Sequence, residues 1–163
     1  MDTKGLLKVG VFLTFLLSLA MQVGCNPSSQ THMAKYNYLI LKLQSDRSVA
    51  HVGEPVHIRF TVTNAGGNTW LESPTTPVMD ITIQSRSSGS INLAWSNQNP
   101  DKVAHRLEWK LGESKVIEMV WTPKQEDILI GVVHIVGFAG LLYQDSKIIQ
   151  STNVDVCASN VCR

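Results

Sequence analysis

The chain has 163 residues, room for one domain, and its 44% hydrophobic and 17% charged content excludes an intrinsically disordered protein. Lys and Arg number 14 against 13 Asp and Glu. Without a basic run, that balance argues against a nucleic-acid partner, since phosphate neutralisation needs clustered cations.

In chain order, the first element is an export signal. Lys4 and Lys8 form a short positive region, residues 9–20 run VGVFLTFLLSLA without a charge, and Gly24 stands directly before Cys25. The segment MQVGC resembles the lipobox of bacterial lipoproteins, in which the cysteine is acylated and becomes the mature N-terminus. Val23 and Gly24 fit that pattern, and Gln22 stands where it usually carries Leu. The resemblance implies a signal peptide over residues 1–24 and a palmitate-type lipid on Cys25. It also implies a domain anchored to a membrane on the extracytoplasmic side of the cell envelope. Two alternatives stay open. Residues 6–23 would be roughly 27 Å long as a helix, enough to span a bilayer uncleaved, and an ordinary cleaved secretory signal would fit as well. All three put the domain outside the cytoplasm. Loss of residues 1–24 removes Lys4, Lys8 and Asp2 and leaves basic and acidic residues in equal number. Residues 25–35 follow as lipidated N-terminus and tether, opening with the polar, turn-forming NPSSQT at 26–31.

Behind the tether, over residues 36–163, the apolar residues recur with period 2 and not 3.6. Leu39, Leu41 and Leu43 alternate first. Val56, Ile58, Phe60 and Val62 then hold every even position against His57, Arg59, Thr61 and Thr63, the pattern of a half-buried strand. Met79, Ile81 and Ile83 follow, then Ile91, Leu93 and Trp95, then Leu107 and Trp109, then Ile117, Met119 and Trp121. Residues 132–138 are nearly continuously apolar around His134, which predicts a central strand, and residues 148–156 make the last one. Turn-forming runs separate these segments at 64–68, 87–90, 97–101 and 111–114. Seven to eight short strands so spaced predict an all-β, two-sheet antiparallel sandwich with no helix.

Two stretches resemble known families. VGEPVHIRFTVTNAG, residues 52–66, is similar to the opening of bacterial immunoglobulin-like modules, where a Gly-Glu-Pro turn leads into a strand ending in Thr-Asn. LGESKVIEMVW, residues 111–121, resembles a turn and strand of the bacterial intracellular proteinase-inhibitor domain, which shares its sandwich with cell-adhesion-related bacterial domains. The resemblance implies an immunoglobulin-like fold over roughly residues 38–156. Its motifs are turn and core motifs, so it brings no functional residue with it.

Chemistry-bearing patterns are scarce. His32, His51, His57, His105 and His134 form no H-x-H, H-E-x-x-H or C-x-x-H motif. There is no G-x-S-x-G elbow and no glycine-rich phosphate loop. The expectation is a non-enzyme without cofactor or metal. With Cys25 lipidated, Cys157 and Cys162 are left as an even pair, expected to be disulfide-bonded in an oxidising compartment; a two-thiolate metal site is the alternative. Trp95, Trp109 and Trp121 keep the strand phase and are expected in the core. Trp70 and Leu71 fall in a loop broken by Pro74 and Pro77, and Leu141, Leu142 and Tyr143 in a loop between the last two strands. These five are the candidate binding residues, because loops at sandwich ends carry recognition; the competing reading has them folding back to plug the sandwich end. The sequence thus points to a membrane-tethered envelope module that binds a protein or polymer partner through its end loops. The alternatives are a proteinase inhibitor inserting residues 66–77 into a cleft, or a carbohydrate-binding sandwich stacking sugars on Trp70 and Tyr143.

Overall fold

The computed structural model describes residues 29–36, 38–85, 91–128, 132–143 and 146–157. Strand β2 (Leu39–Ser45) buries Leu39, Leu41 and Leu43, and β3 (Val56–Asn64) buries Val56, Ile58, Phe60 and Val62 while His57 and Arg59 face solvent. The alternation written in the sequence is therefore the alternation between core and water. With β1 (Gln30–Tyr36) and β8 (Ser114–Trp121) they form one sheet in the order β1-β2-β3-β8. The second sheet has the order β10-β9-β5-β6, from β5 (Met79–Ser85), β6 (Ile91–Ala94), β9 (Val132–Tyr143) and β10 (Ser146–Cys157). All pairings are antiparallel.

The chain changes sheet after β3, after β6 and after β8. It thereby pairs β3 with β8 in one sheet and β5 with β9 in the other, β10 adding to the far side of β9. That is the connectivity of an immunoglobulin-like sandwich. The nearly unbroken apolar strand, β9, lies between β10 and β5, as a central strand should. Between the sheets sit Phe60, Ile58, Ile81, Ile83 and Ile135, with Trp95, Trp109 and Trp121 at 7%, 1% and 4% exposure. Among the described residues no buried side-chain nitrogen or oxygen lacks a hydrogen-bond partner, as a stable interior requires.

Several local expectations are revised. A third piece, the two-stranded ribbon of β4 (Thr69–Glu72) and β7 (Arg106–Trp109), joins the strand ladder of neither sheet, so the described residues carry ten strands, not seven or eight. Strand β1 extends into the stretch expected as tether. It has no apolar alternation to announce it and is held through its pairing with β2, from Gln30↔Ser45 to Tyr36↔Leu39. Helix is present, though short: α1 (Trp95–Gln98), a 3-10 turn (Pro100–Lys102) and α2 (Gln125–Ile128). Trp95 is buried as expected but opens α1 and does not extend β6. The cause is Asp80, buried on β5, whose carboxylate accepts the Ser96 backbone N–H at 3.0 Å and the Ser96 hydroxyl at 2.6 Å. The signal peptide, Cys25 and the turn at 87–90 lie outside the described residues. Cys157 ends β10, and Cys162 lies outside as well.

Close approach of the two sheets fixes one glycine. A Cβ on Gly137 of β9 would stand 2.8 Å from Phe60 Cε2 on the facing sheet, and both residues are buried. Gly137→Ala is expected to cost about 1–3 kcal/mol, as overpacking does. Urea unfolding of the variant checks this, and a cost near zero would mean the sheets can separate to admit a methyl group.

Candidate functional site

Antiparallel pairing places Leu39 opposite Asn64, and Thr63 opposite Ser114. The turns before β2, after β3 and before β8 therefore meet at one end of the sandwich. Asn64, fully buried, ties them together. Its Nδ2 donates to the carbonyls of Gly67 at 2.8 Å, Lys110 at 3.2 Å and Trp109 at 3.4 Å, and its Oδ1 accepts the Gly66 N–H at 3.0 Å. Its backbone N–H donates to the Glu113 carbonyl at 3.0 Å, and its carbonyl accepts the Gly112 N–H at 2.7 Å. Next to it, the Ala65 N–H donates to the Tyr38 carbonyl. The end is a set of turns knotted to one amide side chain.

Three large apolar side chains stand exposed here: Tyr38 at 67%, Leu111 at 66% and Trp70 at 54%. Tyr38 lies over Gly66, where a Cβ would come within 2.7 Å of Tyr38 Cδ1. Leu111 is fixed by its N–H, which donates to Asn68 Oδ1 at 3.2 Å. Trp70 lies on β4 opposite Glu108, and the Arg106 guanidinium sits over its ring, 5.0 Å from the centroid, a cation–π contact. Arg106 is held in turn by Glu108 Oε1 at 3.1 Å and by Glu72 Oε2 at 4.0 Å. The indole is thus a fixed, solvent-facing platform on a paired strand.

Of the expected binding residues, Trp70 is exposed and Leu71 is not. Leu71 is 1% exposed and belongs to the core. The segment taken for a loop is strand β4, whose pairing with β7 throws alternate side chains to opposite faces: Trp70 out, Leu71 in. Leu141, Leu142 and Tyr143 are also not in a loop. They continue β9 and pair with β10, Leu141↔Ile148, Leu142↔Lys147 and Tyr143↔Ser146. Tyr38 and Leu111 were not among the expected residues. Leu111 had a signal, a large apolar residue directly before the glycine of a tight turn.

Beside Trp70 opens a depression of about 460 Å³ lined by Asn68, Thr69, Trp70, Glu108, Lys110 and Glu113, with Trp109 at its base. Gly112, at φ +77°, lets the β7–β8 turn close, a left-handed conformation natural to glycine. Glu113 then reaches back. Lys115 Nζ lies 2.8 Å from its Oε1, and the Lys110 N–H donates to Oε2 at 2.8 Å. The Lys115 bond first, then the Lys110 N–H, holds the Glu113 carboxyl below its ordinary pKa. A depressed carboxyl stabilises the folded turn above its unfolded pKa, about 4.3, and that contribution is lost as pH falls through the lower, folded value. Unfolding midpoints measured across acid pH are expected to fall less steeply for Glu113→Gln than for the parent; identical slopes would remove Glu113 from this role.

A second open trough, about 440 Å³, lies on the outer face of the first sheet beside Gln44, Asp46, His57, Arg59, Glu118 and Val120. Its Arg59–Glu118 pair, 3.0 Å apart, is more than half exposed on both sides, and it offers no aromatic platform. Among the described residues no group of three or more His, Cys, Asp and Glu could hold a metal ion. His105, at the far end of the ribbon, bonds through Nδ1 to the carbonyls of Ser73 and Thr76 at 3.0 and 3.2 Å, which is a structural use.

No protein-family model matches the chain, and no curated protein sequence matches it. Among solved structures it is similar to the CARDB domain of the PF1109 protein from Pyrococcus furiosus, a structure in complex with di-metal ions. That similarity is at 17% identity over 77% of this chain and 95% of that one, with a TM-score of 0.43. It is also similar to the C-terminal domain of wzt, at 7% identity over 80% of this chain and 78% of that one, TM-score 0.49. A β-glucosidase from Listeria innocua in complex with glucose is matched at 12% identity and TM-score 0.36, over 77% of this chain and 17% of that one. No residue role passes from any of these to this chain. Its strand order and sheet pairing make it an all-β, immunoglobulin-like antiparallel sandwich.

Proposed function

We propose that this domain is a non-catalytic binding module that recognises a partner through the end carrying Trp70, Tyr38 and Leu111. The observation that carries the reading is Trp70. A tryptophan left 54% exposed on a paired strand, with its ring held by Arg106, is surface the fold does not need for its own core. Trp and Arg are the residues most enriched where binding energy concentrates. An inserting inhibitor loop is poorly served by the same segment, because residues 69–72 are tied to β7 and both Leu71 and Ser73 are buried.

A lipid on Cys25 would hold this module at a membrane surface outside the cytoplasm, where an envelope protein or polymer could be its partner. The anchor is tested by intact mass of the membrane-bound form. The expected species starts at Cys25 and carries added acyl mass, and a mature chain starting elsewhere without acyl mass rejects it. Recognition is tested by affinity capture from a membrane extract with the full chain in detergent. A partner retained by the parent and lost with Trp70→Ala supports the reading. Equal capture by a Trp70→Ala, Leu111→Ala double variant that still melts like the parent overturns it.

A further inference from the structure

We infer that the depression beside Trp70 takes an uncharged pyranose unit of a polysaccharide; this rests on the binding reading above and names its ligand class. The first argument is charge. Around the depression Arg106, Lys110 and Lys115 are matched by Glu72, Glu108 and Glu113, with Arg106 on Glu108 and Glu72 and Lys115 on Glu113. No net field remains to draw an anionic or a cationic ligand in preference to a neutral one. The second is the character of the walls. Trp70 supplies the one large solvent-facing apolar side chain of the lining, beside the buried Trp109, and the other lining side chains end in amide, hydroxyl, carboxylate and ammonium groups. A pocket for an apolar side chain of a protein partner would be walled by apolar groups.

A ligand that suits these walls has one flat apolar face and a ring of hydroxyls. A pyranose has this form: its axial C–H groups make a face that lies on an indole, and its equatorial hydroxyls both donate and accept. The protein offers both counterparts. Glu108 and Glu113 accept, while Asn68 Nδ2 and Trp70 Nε1 donate to no partner among the described residues. At about 460 Å³ the depression lies in the range that holds small ligands, roughly 300–1,000 Å³. Arg106 already lies over one face of the Trp70 ring, so little further ordering of the indole is required when ligand arrives.

The test is native affinity electrophoresis of the full chain in detergent through gels containing, separately, a soluble β-glucan, an α-glucan, a mannan and an arabinoxylan. A polyuronate gel serves as the anionic comparison. The expected result is retardation by at least one neutral polysaccharide, little changed by added salt. Trp70→Ala should weaken it about thirtyfold, the loss typical of a hot-spot residue, and Trp70→Phe should keep most of it. Retardation that survives Trp70→Ala, retardation by the polyuronate alone, or none in any gel overturns the inference. If no gel retards the chain but Trp70→Ala still abolishes partner capture, recognition at this end stands and its ligand is a protein. Loss of both leaves neither proposal.

Discussion

Asn64→Ala is expected to cost about 2–4 kcal/mol of folding free energy, because it leaves several buried backbone groups without partners at once. The side chain is fully buried. Its Nδ2 serves the carbonyls of Gly67 and Lys110, with Trp109 at longer range, and its Oδ1 serves the Gly66 N–H. Alanine deletes all of these, while the Asn64 backbone bonds to Glu113 and Gly112 can persist. The loss should therefore be felt most in the turns. Amide hydrogen exchange at Gly66, Leu111 and Gly112 should quicken more than at Ile81 or Ile135. Asn64→Asp sharpens the test. It keeps the acceptor for Gly66 but sets a carboxylate against carbonyl oxygens, and it should destabilise at least as much as alanine near neutral pH. Should Asn64→Ala melt within about 0.5 kcal/mol of the parent, the range of an ordinary surface change, the amide is a bystander. The end turns would then be held by backbone alone.

Trp121→Ala should cost more, about 3–5 kcal/mol, the range for truncating a large core aromatic. Trp121 is 4% exposed, pairs with Val56 across the sheet and shares its inward face with Met119. Against a typical domain stability of about 5–15 kcal/mol, that loss could unfold much of the population at physiological temperature. Trp70 is the internal control. Trp70→Ala removes a cation–π contact with Arg106 and little burial, so its expected cost is about 1 kcal/mol or less. Denaturant melts of the two variants side by side give the comparison. Equal destabilisation would make Trp70 a structural plug and would remove the residue on which the binding reading rests.

The sheet architecture was legible because it is written locally. Period-2 alternation in 56–63 and 117–121 sets which side chains face inward, and strand phase alone placed Trp109 and Trp121 in the core. The long apolar run of β9 announced a strand flanked on both sides by others, with Val133, Ile135, Gly137 and Ala139 buried and the residues between them half-buried. The candidate site was legible only at Trp70.

Where a segment was too short or too polar to show a period, only the tertiary structure decided. Strand β4 is four residues long, and nothing in its sequence says that β7, far along the chain by the Thr69↔Trp109 to Glu72↔Arg106 register, will pair with it. That pairing sends Leu71 into the core and leaves Trp70 in water. Strand β1 exists because β2 offers it a ladder, and Leu141–Tyr143 are strand because β10 does. Local patterning fixes the side-chain face once a strand exists. Hydrogen bonds between segments far apart in the chain decide whether it exists, and so which residues are left at the surface to bind.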